Sequence, residues 1–401
     1  MTFPNEQRNC QRAEKELMVK TAFTAPGSFF GLMSICAAHR AVMAGRHSDL
    51  MDSSTSCHRV LHDPDYYIMK NNCIRAVNKK LSDPRVVLSD ETFDTIINLL
   101  TSTLVVGLFG EARIHLTGLK RMVELRGGIA DDSIRCSSIL AGILVADVKC
   151  ASGLMVKPVF PLTWDTQPVP SDIQRRIAPL RSSVLNKLGA ALFANTLLSF
   201  PLLKILNVVR DLILYTQVNN EKPTVLSPED HHFFRLLNCE AEHQLLSYIY
   251  MESEGDHTPP LGPIRNIHPI EAVTRTACIC FLNYFMIVSP PSSGLGRALT
   301  KHLKNAMSKC ALSQLSQLPQ ENYGVLAWAL FIGAQGSAGQ IERPWFVERL
   351  SRIAIICGWR NWEKVSSILW EYFYVSNTHG PVWKSIWDEA MDGLVVEEIE
   401  S

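Results

Sequence analysis

The sequence predicts an all-α protein, a helical array of about fourteen or more helices in two packed subdomains. Three observations predict it. Apolar residues recur at helical spacing in one stretch after another. Those stretches open on cap residues and close on glycine or proline. Hydrophobic residues make up 47% of the chain against 19% charged, which is enough apolar material for a large buried core. With 401 residues the chain exceeds the size at which one core stops growing, so two subdomains are expected. The expected division is a polar tail over 1–24, an N-terminal helical subdomain over 25–157, a proline-rich connection over 158–179, a C-terminal helical subdomain over 180–393 and an acidic tail over 394–401.

Ser28 to Ala44 reads as a strongly apolar helix with small residues around Ala37-Ala38-His39. Small residues let a neighbouring helix come close, and His39 reads as structural. Gly45 to Thr55 reads as a loop. From Pro64 a second helix runs to about Leu81 on a stripe of Ile68, Cys73, Val77 and Leu81, and Asp83-Pro84 breaks it. Ser89 is an N-cap candidate with acids Asp90 and Glu91 in the first turn, opening an Ile- and Leu-rich helix over Thr92 to Leu108.

Gly110 to Gly128 is the stretch that organises the rest. Ala112, Leu116, Leu119 and Val123 fall at i, i+4, i+7 and i+11, on one stripe of a helix. Lys120 and Glu124 can pair on the other face. Arg126 supplies a cation to the last turn, and Gly127-Gly128 can take the left-handed conformation that closes it. Gly118 in mid-helix costs about 1 kcal/mol against alanine, which predicts another backbone pressed against it. His115, at the edge of the stripe, reads as a hydrogen-bonded packing histidine. Asp131-Asp132-Ser133 then caps a helix from Ile134 to about Val156.

Pro158, Pro161, Pro168, Pro170 and Pro179 lie close together, and no regular element is expected to survive that density. Trp164 among them either covers the seam between subdomains or packs locally. Helices resume over Leu180 to Thr196, Pro201 to Gln217 and Pro228 to Met251, the last with Ser227 as N-cap and proline at its first position. A second break spans Glu254 to Pro269. The apolar run Ala277 to Val288 carries Cys278 and Cys280, which diverge on a helix and read as core residues. Leu326 to Ala334 is a tryptophan-bearing helix. Gly333-x-x-Gly336-x-x-Gly339 reads as a mobile loop between two helices. Trp328, Trp345, Trp359, Trp362, Trp383 and Trp387 can each bury roughly 150–250 Å², enough together to hold a helical stack or to form an aromatic cage for a ligand.

The charges exclude some chemistry. Thirty-nine basic residues balance thirty-nine acidic ones, unlike the clustered positive charge of a chain that grips nucleic acid by itself. The eleven cysteines are scattered, with no Cys-x-x-Cys pair, so they read as free thiols in a reducing compartment. His231-His232 diverge on a helix, and Glu240, Glu242 and His243 lack the order of a zinc hydrolase. There is no phosphate-binding loop and no nucleophile elbow. The apolar run over 139–156 carries Asp147 and Lys149, which makes it a poor membrane span.

The segment Ala112, His115-Leu116, Gly118-Leu119, Met122-Val123 and Arg126-Gly127-Gly128 resembles the signature of the fungal-specific transcription factor domain, the regulatory region of zinc binuclear cluster regulators. Ala37-Ala38-His39 is similar to that family's early helix. Trp328 to Gly333, Trp345, Trp359, Trp362 and Trp387 resemble its later tryptophans, so the likeness runs from about Ser28 to Met391. The resemblance implies a non-enzymatic regulatory domain acting in the nucleus, with a homo- or heterodimer partner or a small-molecule effector, and no membrane. It implies no cofactor for this chain, because the family's zinc belongs to a six-cysteine cluster without a counterpart here, and direct DNA binding is not expected. The competing readings are a helical scaffold and an enzyme acting on an apolar metabolite. The signature residues are expected to be structural, and no catalytic, cofactor or metal residue is expected.

Overall fold

The computed structural model describes residues 25–49, 59–135, 139–162, 168–250, 265–286, 290–310 and 322–400. The polar tail, Trp164 and the last residue lie outside them. The fold is all-α. The chain divides into two compact units, residues 1–166 with 292–298, and residues 167–291 with 299–401.

In the first unit, α1 (Pro26–Met43), α2 (Pro64–Leu81), α3 (Asp90–Val106), α4 (Phe109–Leu125), α5 (Asp132–Arg135) and α6 (Ile139–Leu154) follow in chain order. Helix α3 is the hub, packing on α1, α2, α4 and α6. That explains why Phe93, Ile96, Leu99, Leu100, Leu104 and even Thr92, Thr95, Ser102 and Thr103 are all buried. Most of these hydroxyls are satisfied inside the helix, Ser102 and Thr103 donating to the carbonyls of Leu99 and Leu100 at 2.7 and 2.6 Å, while Thr92 donates to the Val86 carbonyl just before it at 2.8 Å. Helix α2 begins on Asp63, whose side chain accepts the Asp65 N–H at 3.1 Å while Arg40 of α1 and Arg46 reach it at 2.9 and 3.0 Å. The stripe expected on α2 is shifted. Cys73 and Val77 are buried, but Tyr66 takes the third core position and Ile68 and Leu81 are exposed.

Two expectations are corrected, one in this unit and one at the start of the next. The loop after α1 contains a strand, β1 (His47–Asp49), paired antiparallel with β2 (Arg59–Leu61) with His47 opposite Leu61. Three-residue strands show no alternation long enough to read, and this pair is held by tertiary anchors: Leu61 is buried against Ala37, Ala38, Ala41 and Val42 of α1. The proline-dense connection contains α7 (Ser171–Ile177), the first helix of the second unit. Pro170 sits at its N-cap, where no N–H is required, and no further proline intervenes before Pro179.

The second unit continues with α8 (Ala190–Ala194), α9 (Phe200–Glu221), α10 (Pro228–Ser247), α11 (Pro269–Phe281), a π-helical turn over Leu282–Met286, α12 (Gly294–Lys309, whose first turn belongs to the first unit), α13 (Asn322–Gly336), α14 (Arg343–Ile356), α15 (Trp362–Leu369) and α16 (Ser376–Glu400). The single helix expected over 180–196 is broken into a 3-10 turn at Val184–Lys187 and α8, because Gly189 between them has φ +80°. Ser227 caps α10 as expected and forms a capping box with Asp230. Helix α13 is buried from Asn322 to Ala334 and packs on α11, α14 and α16. Gly333 and Gly336 therefore lie inside a helix and only Gly339 in the turn after it, so the expected glycine loop is corrected. The acidic tail is corrected too, since α16 runs through it to Glu400.

Candidate functional site

The signature residues fall on α4 and the turn that ends it. Ala112, Leu116, Leu119, Met122 and Val123 are buried, as the helical stripe requires. The opposite face presents Arg113, Ile114, Thr117, Gly118, Lys120, Arg121, Glu124 and Leu125 to solvent. Arg121, not Lys120, pairs with Glu124, at 3.3 Å. His115 is half-buried and shares Glu111 with Lys70 of α2: the imidazole Nε2 lies 3.3 Å from Glu111 Oε1, and the ammonium lies 2.7 Å from it. The hydrogen bond from His115, working against desolvation and assisted by Lys70, holds the Glu111 carboxyl down to about 2.

Arg126 is the fastener of this region. Its guanidinium meets Asp90 at 2.5 Å, donates to the Leu88 carbonyl at 3.3 Å and to the Ser133 carbonyl at 2.8 Å, and lies 5.4 Å from the centre of the Phe93 ring. One side chain thus ties the end of α4 to the start of α3 and to α5. Gly127 and Gly128 follow at φ +105° and +97°, and Gly128 N–H closes on the Val123 carbonyl at 2.8 Å. This is the left-handed ending that the sequence anticipates. A Cβ on Gly127 would also sit 2.7 Å from an Asp131 oxygen.

Gly118 is the correction. Nothing lies within 4 Å of where its Cβ would be, so no backbone presses on it. The close approach in this unit is at Gly107, whose backbone nitrogen lies 2.1 Å from the Cβ position of Gly294. Sequence reasoning missed Gly294 because its partner is far away in the chain. His39 is half-buried on α1, and burial lowers its pKa.

The tryptophans sit in the second unit. Trp328 is fully buried and donates to the Phe373 carbonyl at 3.2 Å. Trp383 stacks on Phe331 with ring centres 5.2 Å apart and donates to Gln335 Oε1 at 2.6 Å. His379 stacks on the other side of this group, 5.1 Å from Trp383. Burial pushes the His379 imidazole down to about 3, and its Nδ1 accepts the Val375 N–H at 2.9 Å, so it is a neutral cap inside the core. Trp359 and Trp387 are buried, Trp362 is half-buried against Phe331 and Tyr374, and Trp345 lies under the cations Arg349 and Lys304 at 4.6 and 5.6 Å. Gly333 is packed by the Phe346 ring, 2.2 Å from its Cβ position.

Among the described residues the buried titratable groups serve separate local contacts. Asp147, buried on α6, is pushed up to about 6 by desolvation and accepts the N–H groups of Val159 and Phe160 at 2.9 and 2.7 Å, pinning the chain after α6. Burial raises the Cys73 and Cys150 thiols to about 12, and Cys278 and Cys280 rise further. A thiol so placed is a poor nucleophile. Buried carboxylates are used for packing: Glu271 accepts from Ser199 Oγ and Tyr248 Oη at 2.5 and 3.0 Å, and Glu242 from Asn283 at 2.7 Å. Among the described residues no group of three or more His, Cys, Asp or Glu side chains is placed to hold a metal ion, and no helix is long and apolar enough to cross a membrane.

Comparison with known proteins identifies one part of the chain. Residues 2–156 match the model of the fungal specific transcription factor domain, a match that takes in α1 to α6, His39 and every signature residue of α4. The tryptophans of the second unit lie beyond it. Neither the curated proteins nor the solved structures contain a match to the chain. Residues 2–156 are thus similar to the fungal specific transcription factor domain, and that likeness supports a role in transcription regulation.

Proposed function

We propose that the chain is the regulatory part of a fungal transcription regulator, a non-enzymatic helical module that acts in the nucleus by touching a protein partner or a small effector. The observation that carries this reading is the family match over residues 2–156. The setting of the signature helix supports it. One face of α4 is locked into the core, while the other offers Arg113, Lys120 and Arg121 beside the exposed apolar side chains of Ile114 and Leu125. The even charge balance and the lack of a Cys-x-x-Cys pair support leaving DNA contact to another module, and in this reading the chain acts as a homo- or heterodimer. The buried, protonated thiols support contact over catalysis.

The experiment combines a fluorescent fusion of the full chain with transcript profiling after deletion of its gene. The reading expects nuclear fluorescence and a reproducible set of transcripts changed several-fold. Unchanged transcripts, or purified chain that converts a metabolite with turnover, overturn it.

A further inference from the structure

The outer face of α4 carries two features that no contact among the described residues accounts for. The first is Gly118. A glycine in the interior of a helix weakens it, yet neither a positive φ nor a close neighbour requires one here, and nothing lies within 4 Å of its Cβ position. It stands between Ile114, 73% exposed, and Leu125, 58% exposed. Ile114, Gly118, Arg121 and Leu125 fall at i, i+4, i+7 and i+11, one outward stripe about 16 Å long. A bare backbone in the middle of such a stripe lets another helix axis come close. The apolar side chains at its two ends would leave water against that helix.

The second feature is charge. Beside that stripe run Arg113, Thr117, Lys120 and Glu124, all exposed. The carboxylates of α4 are taken, Glu111 by Lys70 and His115 and Glu124 by Arg121. Among the described residues no carboxylate pairs with Arg113 or Lys120, whose charges reach buried Cys150 and Asp147 of α6 only through space. A second copy docked on this face would set these cations against their own images, which disfavours self-association there. A partner that brings carboxylates pairs them instead. We propose that this face of α4 is the docking site for an acidic amphipathic helix of another protein, which crosses α4 over Gly118, covers Ile114 and Leu125 with its apolar stripe and sets carboxylates against Arg113 and Lys120. The inference rests on the regulatory reading of the chain and names the chemistry of its protein partner.

The test is fluorescence anisotropy of a labelled helical peptide of about 20 residues titrated with the full chain. The peptide bears leucine at i, i+4, i+7 and i+11 and glutamate on both flanks of that stripe. Control peptides replace the glutamates by lysine or the leucines by serine. The acidic peptide is expected to bind saturably and about ten-fold more tightly than either control. Gly118→Gln fills open space and improves helix propensity, so it is expected to keep or raise the melting temperature while weakening that binding about ten-fold. Arg113→Glu combined with Lys120→Glu, both exposed changes, is expected to turn the preference toward the lysine-bearing peptide. The assignment is overturned if the acidic peptide does not outbind the controls, or if the Gly118→Gln chain binds it as the parent does. It is overturned equally if sedimentation shows a dimer of the chain that Gly118→Gln dissolves, since the occupant is then a second copy. Peptide binding without any transcript change on deletion of the gene would instead leave the docking face intact and sink the regulatory reading.

Discussion

Arg126 carries more of the signature's meaning than any other residue, because its contacts reach three separate segments. Removing them in Arg126→Ala is expected to cost about 2 kcal/mol, since the partly exposed Asp90 pair adds little and the two carbonyls would lose a charged donor. Urea midpoints measure this, and Arg126→Lys should recover only part of the loss because an ammonium cannot span the same acceptors. Glu111 gives the pH prediction. Its folded pKa is depressed to about 2, so its contribution is present above the unfolded value near 4.3 and disappears as pH falls toward 2. Glu111→Gln should flatten that limb of the stability profile in acid titrations followed by circular dichroism. The hydrogen bond of His115 is legible in the sequence because Glu111 lies one turn back, whereas Arg126, read there only as a cation for its own helix end, reaches Leu88 and Asp90 at the remote start of α3. The role of Gly294 is not legible either, because its neighbour Gly107 arrives from a remote segment.

At the scale of the element, two glycines separate what a pattern shows from what packing decides. Gly118 has open space around it, so Gly118→Ala should stabilise the domain by up to about 1 kcal/mol by helix propensity alone. Gly333 faces the Phe346 ring, so Gly333→Ala should cost about 1–3 kcal/mol by overpacking the contact between α13 and α14. Melting temperatures of the two variants should move in opposite directions. Helices with strong stripes and caps are readable: α2 starts at Pro64 and α10 on Ser227, where the sequence puts them. The broken segment around Gly189 and the ribbon of β1 and β2 are not readable, because one positive φ and a tertiary anchor on Leu61 decide them. Helix α7 survives among prolines for a reason the count of prolines conceals, namely that Pro170 stands at its cap.

For the whole molecule, the all-α fold follows from composition and repeated helical spacing, both of which survive local errors at element ends. The site is less legible. The family's signature marks a fastened strut on α4. The central claim is that this chain regulates transcription by contact. It is tested most directly by fusing the full chain to a heterologous DNA-binding domain and measuring a reporter bearing that domain's operator. The account predicts a several-fold change in reporter output that Arg126→Ala diminishes. A folded, nuclear fusion that leaves the reporter at the level of the DNA-binding domain alone would contradict it.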